Sequence, residues 1–257
     1  MKRVTPKVFL VGHSVLNHNG MEDYLAHVGT KWRPDMEISS PEMLTEFMGR
    51  LCYRSWEPGL NRNVTRIRTD SKKYIGNILK VKHGSVLEHA VTHWVFADVS
   101  RVFTHELVRH RAGMAFSQES LRFVRLEDLG LWLPPEIEAR PDVVKLFEKT
   151  FEDLGQLQIE LAKTFGLDGE MKFADKKKVT SAMRRVAPIG LATTIGVSAN
   201  LRALRHIVSM RTAASAEAEV RLVIGQMMEV CRERWPSVFQ DFTKQDDGTW
   251  QAEFEKV

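Results

Sequence analysis

Apolar residues recur at a period near 3.6 along much of the chain, and each such run predicts an amphipathic helix. Leu44, Phe47, Met48 and Leu51 share one face of a helix that Ser40 caps and Pro41 opens. Ser71 caps a second, through Ile75, Ile78 and Leu79 to Lys82; His83-Gly84-Ser85 ends it, and Gly84 lets the backbone turn tightly or approach a ligand. Ser100 caps a third, with Val102, Phe103, Leu107 and Val108 on its apolar side. Past the loop marked by Pro134, Pro135 and Pro141, a stripe of Val144, Phe147, Phe151, Leu154, Leu157 and Leu161 predicts a long helix over 142–165. A helix over 179–186 is broken by Pro188 and Gly190. Asn200 caps the next, which turns Leu201, Leu204, Ile207 and Val208 inward and ends at Arg211. The last, over 215–234, packs Val220, Ile224, Met227, Val230 and Cys231.

Strand patterns are fewer. Residues 8–12 predict a buried strand and 91–97 a second; the small and β-branched run 192–198 is a buried strand or a tight entry to the following helix. Residues 13–34 read as irregular, with a turn at Asn17-His18-Asn19-Gly20, and 166–178 as a polar connector. No internal repeat or low-complexity segment occurs. The expected fold is α+β, a mixed or antiparallel sheet wrapped by helices, in one domain over 1–242 followed by a polar tail, 243–257.

Composition narrows the ligand more than the fold. With 257 residues and 43% hydrophobic content, the chain can bury a substantial core. Its net charge of +4 favours an anionic ligand: a nucleotide, a cofactor phosphate or nucleic acid. Lys and Glu are interspersed, so no polybasic arm exists. Cys52 and Cys231 are too far apart for a metal motif or disulfide framework, which points to a reducing, cytoplasmic setting; Cys52 reads as a core thiol. No Cys or carboxylate stands at ligand spacing with His13, His18 or His27, so these read as surface or core histidines and no metal site is expected. The apolar run near the first residue is short and lacks a cleavage pattern, and no run approaches membrane-spanning length.

Chemistry concentrates in residues 104–125. Arg109, His110, Arg111, Arg122 and Arg125 surround the polar run Ser117-Gln118-Glu119-Ser120. Arg is permanently charged and its planar fork suits phosphate and carboxylate. Adjacent helical positions do not share a face, so Arg109, His110 and Arg111 require partners in different directions. The cluster fits an anion site with ring-reading groups beside it, and equally a solvated basic helix end. The basic stretch 62–73, with Arg62, Arg66, Arg68, Lys72 and Lys73, reads as a solvated loop or the wall of an anion site. Glu217, Glu219 and Arg221 are expected to pair with one another or with a neighbouring element.

Arg109-His110-Arg111 followed by Ser120-Leu121-Arg122-Phe123 resembles the signature of the flavin-dependent thymidylate synthases. His83-Gly84-Ser85-Val86-Leu87-Glu88-His89 and Val99-Ser100-Arg101 resemble the family's approach to that motif. Arg184, Val186 and Pro188, then Asn200-Leu201-Arg202, His206 and Met210-Arg211, resemble its second half. The likeness spans roughly 40–240. It implies reductive methylation of dUMP to dTMP, with methylenetetrahydrofolate giving the carbon and NADPH reducing a bound FAD that passes hydride onward. The protein then has to bind, orient and polarise.

The resemblance also implies roles. Arg211 binds and polarises the uracil. Arg109, Ser120, Arg122 and Arg184 hold the nucleotide, mainly its phosphate, with Glu106 and Gln118 also at nucleotide positions. Ser85, Arg109, His110, Arg111, Gln118, Asn200, Arg202 and His206 contact the flavin. His83 stands where folate and nicotinamide approach. A homotetramer with sites between subunits is implied, and neither a membrane nor nucleic acid as partner. Departures are visible: eight residues, 112–119, separate Arg111 from Ser120 where seven are usual, the extra one falling within 112–114. Glu106 replaces the usual Gln, Ala115 a frequent Ser and Phe123 a Tyr. They leave open a related methylase acting on UMP or another uridine nucleotide. A non-catalytic nucleic-acid-binding protein is a further alternative, against which the basic residues lack interleaved aromatics.

Overall fold

The computed structural model describes residues 1–123, 126, 128–255 and 257. In chain order its elements are β1 (Lys2–Arg3), β2 (Lys7–His13), α1 (His18–His27), α2 (Ser40–Tyr53), α3 (Ser71–Lys80), a 3₁₀ segment Gly84–His89, β3 (Val91–Ser100), α4 (Arg101–Leu107), β4 (Met114–Gln118) and β5 (Gly130–Leu131). There follow α5 (Pro135–Glu138), α6 (Pro141–Thr164), α7 (Phe173–Met183), a 3₁₀ turn Arg184–Val186, β6 (Ala192–Asn200), α8 (Leu201–Arg211), α9 (Ala218–Arg234), β7 (Phe242–Lys244) and β8 (Trp250–Ala252).

The centre is a four-stranded sheet in the order β2-β3-β6-β4 with every pairing antiparallel. Alternation along β3 and β6 turns Trp94, Phe96, Ile195, Val197 and Ala199 to one face, where they meet Leu201, Leu204, Ile207 and Val208 of α8 and Val220, Val223, Ile224 and Met227 of α9. Each fully buried apolar side chain of this kind contributes on the order of 1.5–3 kcal/mol. A second cluster joins α1 and α2 through Leu16, Met21, Leu25, Met43, Phe47 and Trp56. The long α6 packs Phe151 against Leu129, Leu131 and Leu133.

The α+β class with an antiparallel sheet is as expected; several local readings are corrected. β2 is an edge strand, not a buried one: Phe9 is 47% and Val11 62% exposed. The stretch 13–34 contains α1, because Asn17 acts as an N-cap, its side chain accepting from Gly20 N at 3.1 Å. Caps shift by one residue at α2, where the Ser39 backbone N–H and hydroxyl both donate to Glu42, and at α3, where Asp70 accepts from Lys73 N. β4 was unforeseen, and α7 occupies most of the polar connector. Cys52 is exposed; Cys231 is buried, which pushes its thiol pKa up. His13, His18 and His27 are all exposed. The expected polar tail is structured as far as Ala252. β7 and β8 make a hairpin that buries Trp250, and Trp250 N donates to Thr212 Oγ1 beside the end of α8.

Candidate active site

Two helices leave the sheet from opposite ends of neighbouring strands. Ser100 pairs with Ala192 and Asn200 with Val91, so α4 starts at one end of the β3/β6 pair and α8 at the other. Ser100 Oγ accepts from Phe103 N at 3.2 Å, and Asn200 Oδ1 accepts from Ala203 N at 2.8 Å. α4 has a further anchor: the buried Glu219 of α9 accepts from Ser100 N at 2.6 Å and from the Ser100 hydroxyl. Glu219 therefore does not pair with Glu217 or Arg221. Glu217 caps α9 through Val220 N, and Arg221 donates to the carbonyls of Thr212 and Asp247.

The C-terminal ends of α4 and α8 meet, where cations are favoured by the helix dipoles. Arg211 Nε donates to His110 Nε2 at 2.9 Å, and its Nη1 pairs with Glu106 Oε2 at 2.5 Å. The His110 ring lies edge-on to His206, centroids 5.9 Å apart. Burial, then the charges of Arg211 and His206, push the His110 pKa down to about 4, with Glu106 opposing. His110 is thus neutral at pH 7. Because Nε2 accepts from Arg211, its proton sits on Nδ1. The linkage has a definite sign: with the folded pKa near 4 and the unfolded value near 6.5, His110 favours the folded state fully above pH 6.5, and this is lost as pH falls toward 4. Thermal melts between pH 7 and 4.5 are therefore expected to be less pH-dependent in His110→Gln than in the parent. Equal slopes would show that His110 does not titrate in this window.

Two cavities flank this junction. One, about 370 Å³, is lined by Gly113, Asn200, Arg202 and His206 and also by the carboxylates Glu88 and Glu255. The other, about 200 Å³, is lined by Arg109, His110, Arg111, Met114 and His206. His206 borders both. Arg202 is held by Glu88 at 2.5 Å and by the Val257 carbonyl at 3.0 Å. Gly113, at φ 70°, has the Asn200 amide 2.3 Å from where a Cβ would stand, so only glycine fits. Arg109 and Arg111 are exposed and have no acidic partner among the described residues. Gln118 is turned back onto α4, donating to Thr104 Oγ1 at 3.0 Å.

A second basic group forms where β4 ends. Ser120 Oγ accepts from Arg122 N at 3.3 Å, and Thr180 Oγ1 donates to the Arg122 carbonyl. Arg101 Nη2 donates to the Glu119 carbonyl at 3.2 Å, while its buried Nε has no partner. Burial first, and then the charge of Arg184, lower the Arg101 pKa, with the Glu119 carboxylate opposing. In the sequence Arg101 stands out through the Val99-Ser100-Arg101 resemblance. A second signal is its place at the start of α4, which leads into Arg109.

The expected residues therefore fall into groups. Glu106, His110, His206 and Arg211 come together; Asn200 and Arg202 line the larger of the two cavities; Ser120, Arg122, Arg184 and Arg101 form the basic group. His83 lies apart, beside a third cavity with Tyr53, Arg66 and Arg68. Ser85 is exposed on the 3₁₀ segment. Arg125 lies outside the described residues. An open groove of about 640 Å³ between β2 and the end of α9 holds none of the expected residues.

The fold brings Arg211, Glu106 and a neutral His110 together beside cavities bordered by further arginines, a site suited to anionic ligands. Residues 36–237 match the family model described as thymidylate synthase complementing protein, and the chain belongs to that family. It is 34% identical over 227 residues to the flavin-dependent thymidylate synthase of Mycobacteroides abscessus, covering 86% of each chain. It is 33% identical over 236 residues to that of Mycobacterium tuberculosis, covering 88% of this chain and 90% of the relative. Among solved structures, thymidylate synthase X from Helicobacter pylori with FAD and dUMP superposes with a TM-score of 0.61 at 18% identity, over 92% of this chain and 98% of the other. A UMP/dUMP methylase from Streptomyces cacaoi bound with 5-Br dUMP gives 0.61 at 17% identity, over 93% and 95%.

Proposed function

We propose that the chain methylates dUMP to dTMP, using methylenetetrahydrofolate as carbon donor and NADPH as reductant through bound FAD. The observation that carries this reading is the junction of Arg211, His110 and Glu106 beside donor-rich cavities. Arg211 is oriented on two sides by protein acceptors, so its guanidinium is preorganised to stabilise negative charge developing on a pyrimidine. Arg109, Arg111, Arg202, His206 and Asn200 present donors that fit an anionic dinucleotide, and of the two carboxylates in the wall of the larger cavity, Glu88 and Glu255, Glu88 is paired with Arg202. Bound there, FAD supplies the hydride relay between NADPH and the one-carbon unit. Ser120, Arg122 and Arg184 hold the nucleotide phosphate, and Arg101 joins them. Arg101→Gln is expected to weaken dUMP binding about tenfold and leave deoxyuridine, which lacks the phosphate, unaffected. Equal loss for both ligands in titrations would make Arg101 a scaffold residue instead.

The two nucleotide-binding groups are not joined by any hydrogen bond or ion pair among the described residues. We propose that a homotetramer completes the site, supported by the sheet face left exposed at Phe9, Val11, His93, Ala115 and Ser117. The catalytic unit is proposed to be a single domain working in the cytoplasm. Among the described residues, no helix is long and apolar enough to cross a membrane.

A second reading, methylation of UMP, is favoured by the eight-residue spacing before Ser120 and by Glu106, whose carboxylate accepts but does not donate as an amide would. The deciding experiment takes the visible spectrum of the purified protein, then oxidises its NADPH-reduced flavin with methylenetetrahydrofolate and either dUMP or UMP. Flavin with dTMP formed supports the first reading, and product from UMP alone the second. A colourless protein with salt-sensitive nucleic-acid affinity would overturn both.

A further inference from the structure

The family match ends at residue 237, yet the chain beyond it stays against the larger cavity. After β8 the backbone is anchored on Asp241: Glu253 N donates to the Asp241 carbonyl at 2.9 Å, and Phe254 N to its carboxylate at 3.2 Å. The buried Arg205, itself paired with Asp241, donates to the Phe254 carbonyl at 3.3 Å. From this anchor Phe254, Glu255 and Val257 stand in the cavity wall with Arg202 and His206. The chain is fastened again at Val257, whose carbonyl accepts from Arg202 Nε at 3.0 Å. Its backbone lies so close to Gly84 that a Cβ there would overlap the Val257 carbonyl carbon.

Arg202 is thus engaged by the chain itself: Val257 takes Nε, and Glu88 takes Nη1. A neutral carbonyl holds a guanidinium less firmly than a phosphate, which brings a charge and can engage the fork on two nitrogens. Glu255 adds to the imbalance. Its carboxylate is exposed in the cavity wall with no basic partner among the described residues, so an arriving anion repels it. We propose, on the reading of this cavity as the flavin site, that residues 255–257 are an autoinhibitory strap, docked on Arg202 and Gly84 until FAD displaces it. The anchor at Glu253 and Phe254 is the fixed end about which it swings. The apparent dissociation constant for FAD is then the intrinsic one divided by the fraction of chains with the strap released, so a strap docked in about nine chains of ten weakens binding about tenfold.

The test compares the full chain with one ended at Phe254, which keeps the Asp241 anchor. FAD affinity is read from quenching of flavin fluorescence at equilibrium. Hydrogen exchange of the peptide carrying residues 255–257 is followed in the full chain with and without saturating FAD. The shortened chain is expected to bind FAD about tenfold more tightly at an unchanged Tm, and exchange in the full chain is expected to rise when FAD binds. Equal or weaker FAD binding by the shortened chain overturns the strap, and so does exchange that stays level or falls, since residues 255–257 would then be a fixed wall around the cofactor. Either result leaves the proposed reaction standing; FAD binding by neither chain overturns both. The exchange measurement needs only the full chain, and it decides alone if the shortened one does not fold.

Discussion

Alanine in place of Arg211 is expected to give a folded, yellow protein whose methylation rate has fallen by about 10²–10³ or more, the cost of removing one preorganised charge donor from an active site. The side chain is the meeting point of α4 and α8, and its loss has a local signature besides inactivity. Glu106 loses its ion pair, and His110 loses both a donor and a positive neighbour, so the His110 pKa should rise from about 4. Arg211→Lys keeps the charge but not the planar fork, and should retain nucleotide affinity better than turnover. Product formation, flavin absorbance and an imidazole NMR titration of His110 check the three parts. Turnover within tenfold of the parent would mean that Arg211 only braces the helix ends.

Glu219→Ala should produce the largest loss of stability among the residues around the site. It strips the acceptor from two buried donors of Ser100, the N–H and the hydroxyl, and leaves a void under the start of α4. Leaving such donors unsatisfied costs roughly 2–4 kcal/mol in total. A chain of this size then loses several degrees in Tm. Because α4 delivers Glu106 and leads into Arg109–Arg111, flavin retention should fall in parallel. Burial raises the Glu219 carboxyl pKa against the pull of its Ser100 bonds, so the parent's stability declines as pH rises from the unfolded value through the folded one. Melting curves over that range should have a shallower decline in Glu219→Gln, which cannot ionise. A Tm unchanged in Glu219→Ala would show that the Ser100 cap holds α4 unaided.

The helices around the site were legible because their signals are redundant. α4, α8 and α9 carry apolar stripes, and α4 and α8 carry strong caps at Ser100 and Asn200. α1 escaped because only Met21 and Leu25 of its ten residues are buried, and because an Asn accepting from the N–H three residues on initiates a turn and a helix alike. β4 escaped because its alternation lasts only five residues and includes no fully buried side chain; the register comes from β6. At the site, the motif revealed which residues matter but not how they meet. Nothing local links Arg211 to His110, or Glu219 to Ser100, since both contacts depend on how β3 and β6 align. Exposure of Cys52 and burial of Trp250 are likewise tertiary outcomes.

That alignment also dictates when the site can exist. β3 and β6 pair residues roughly 100 positions apart, and such long-range closures are the slow steps of folding. Until this ladder zips, α4 and α8 can each form, but their ends have nothing to bring them together. The arginine–histidine junction is thus born late, with the sheet, and a nascent chain halted before β6 carries the whole arginine motif without a trace of the chemistry.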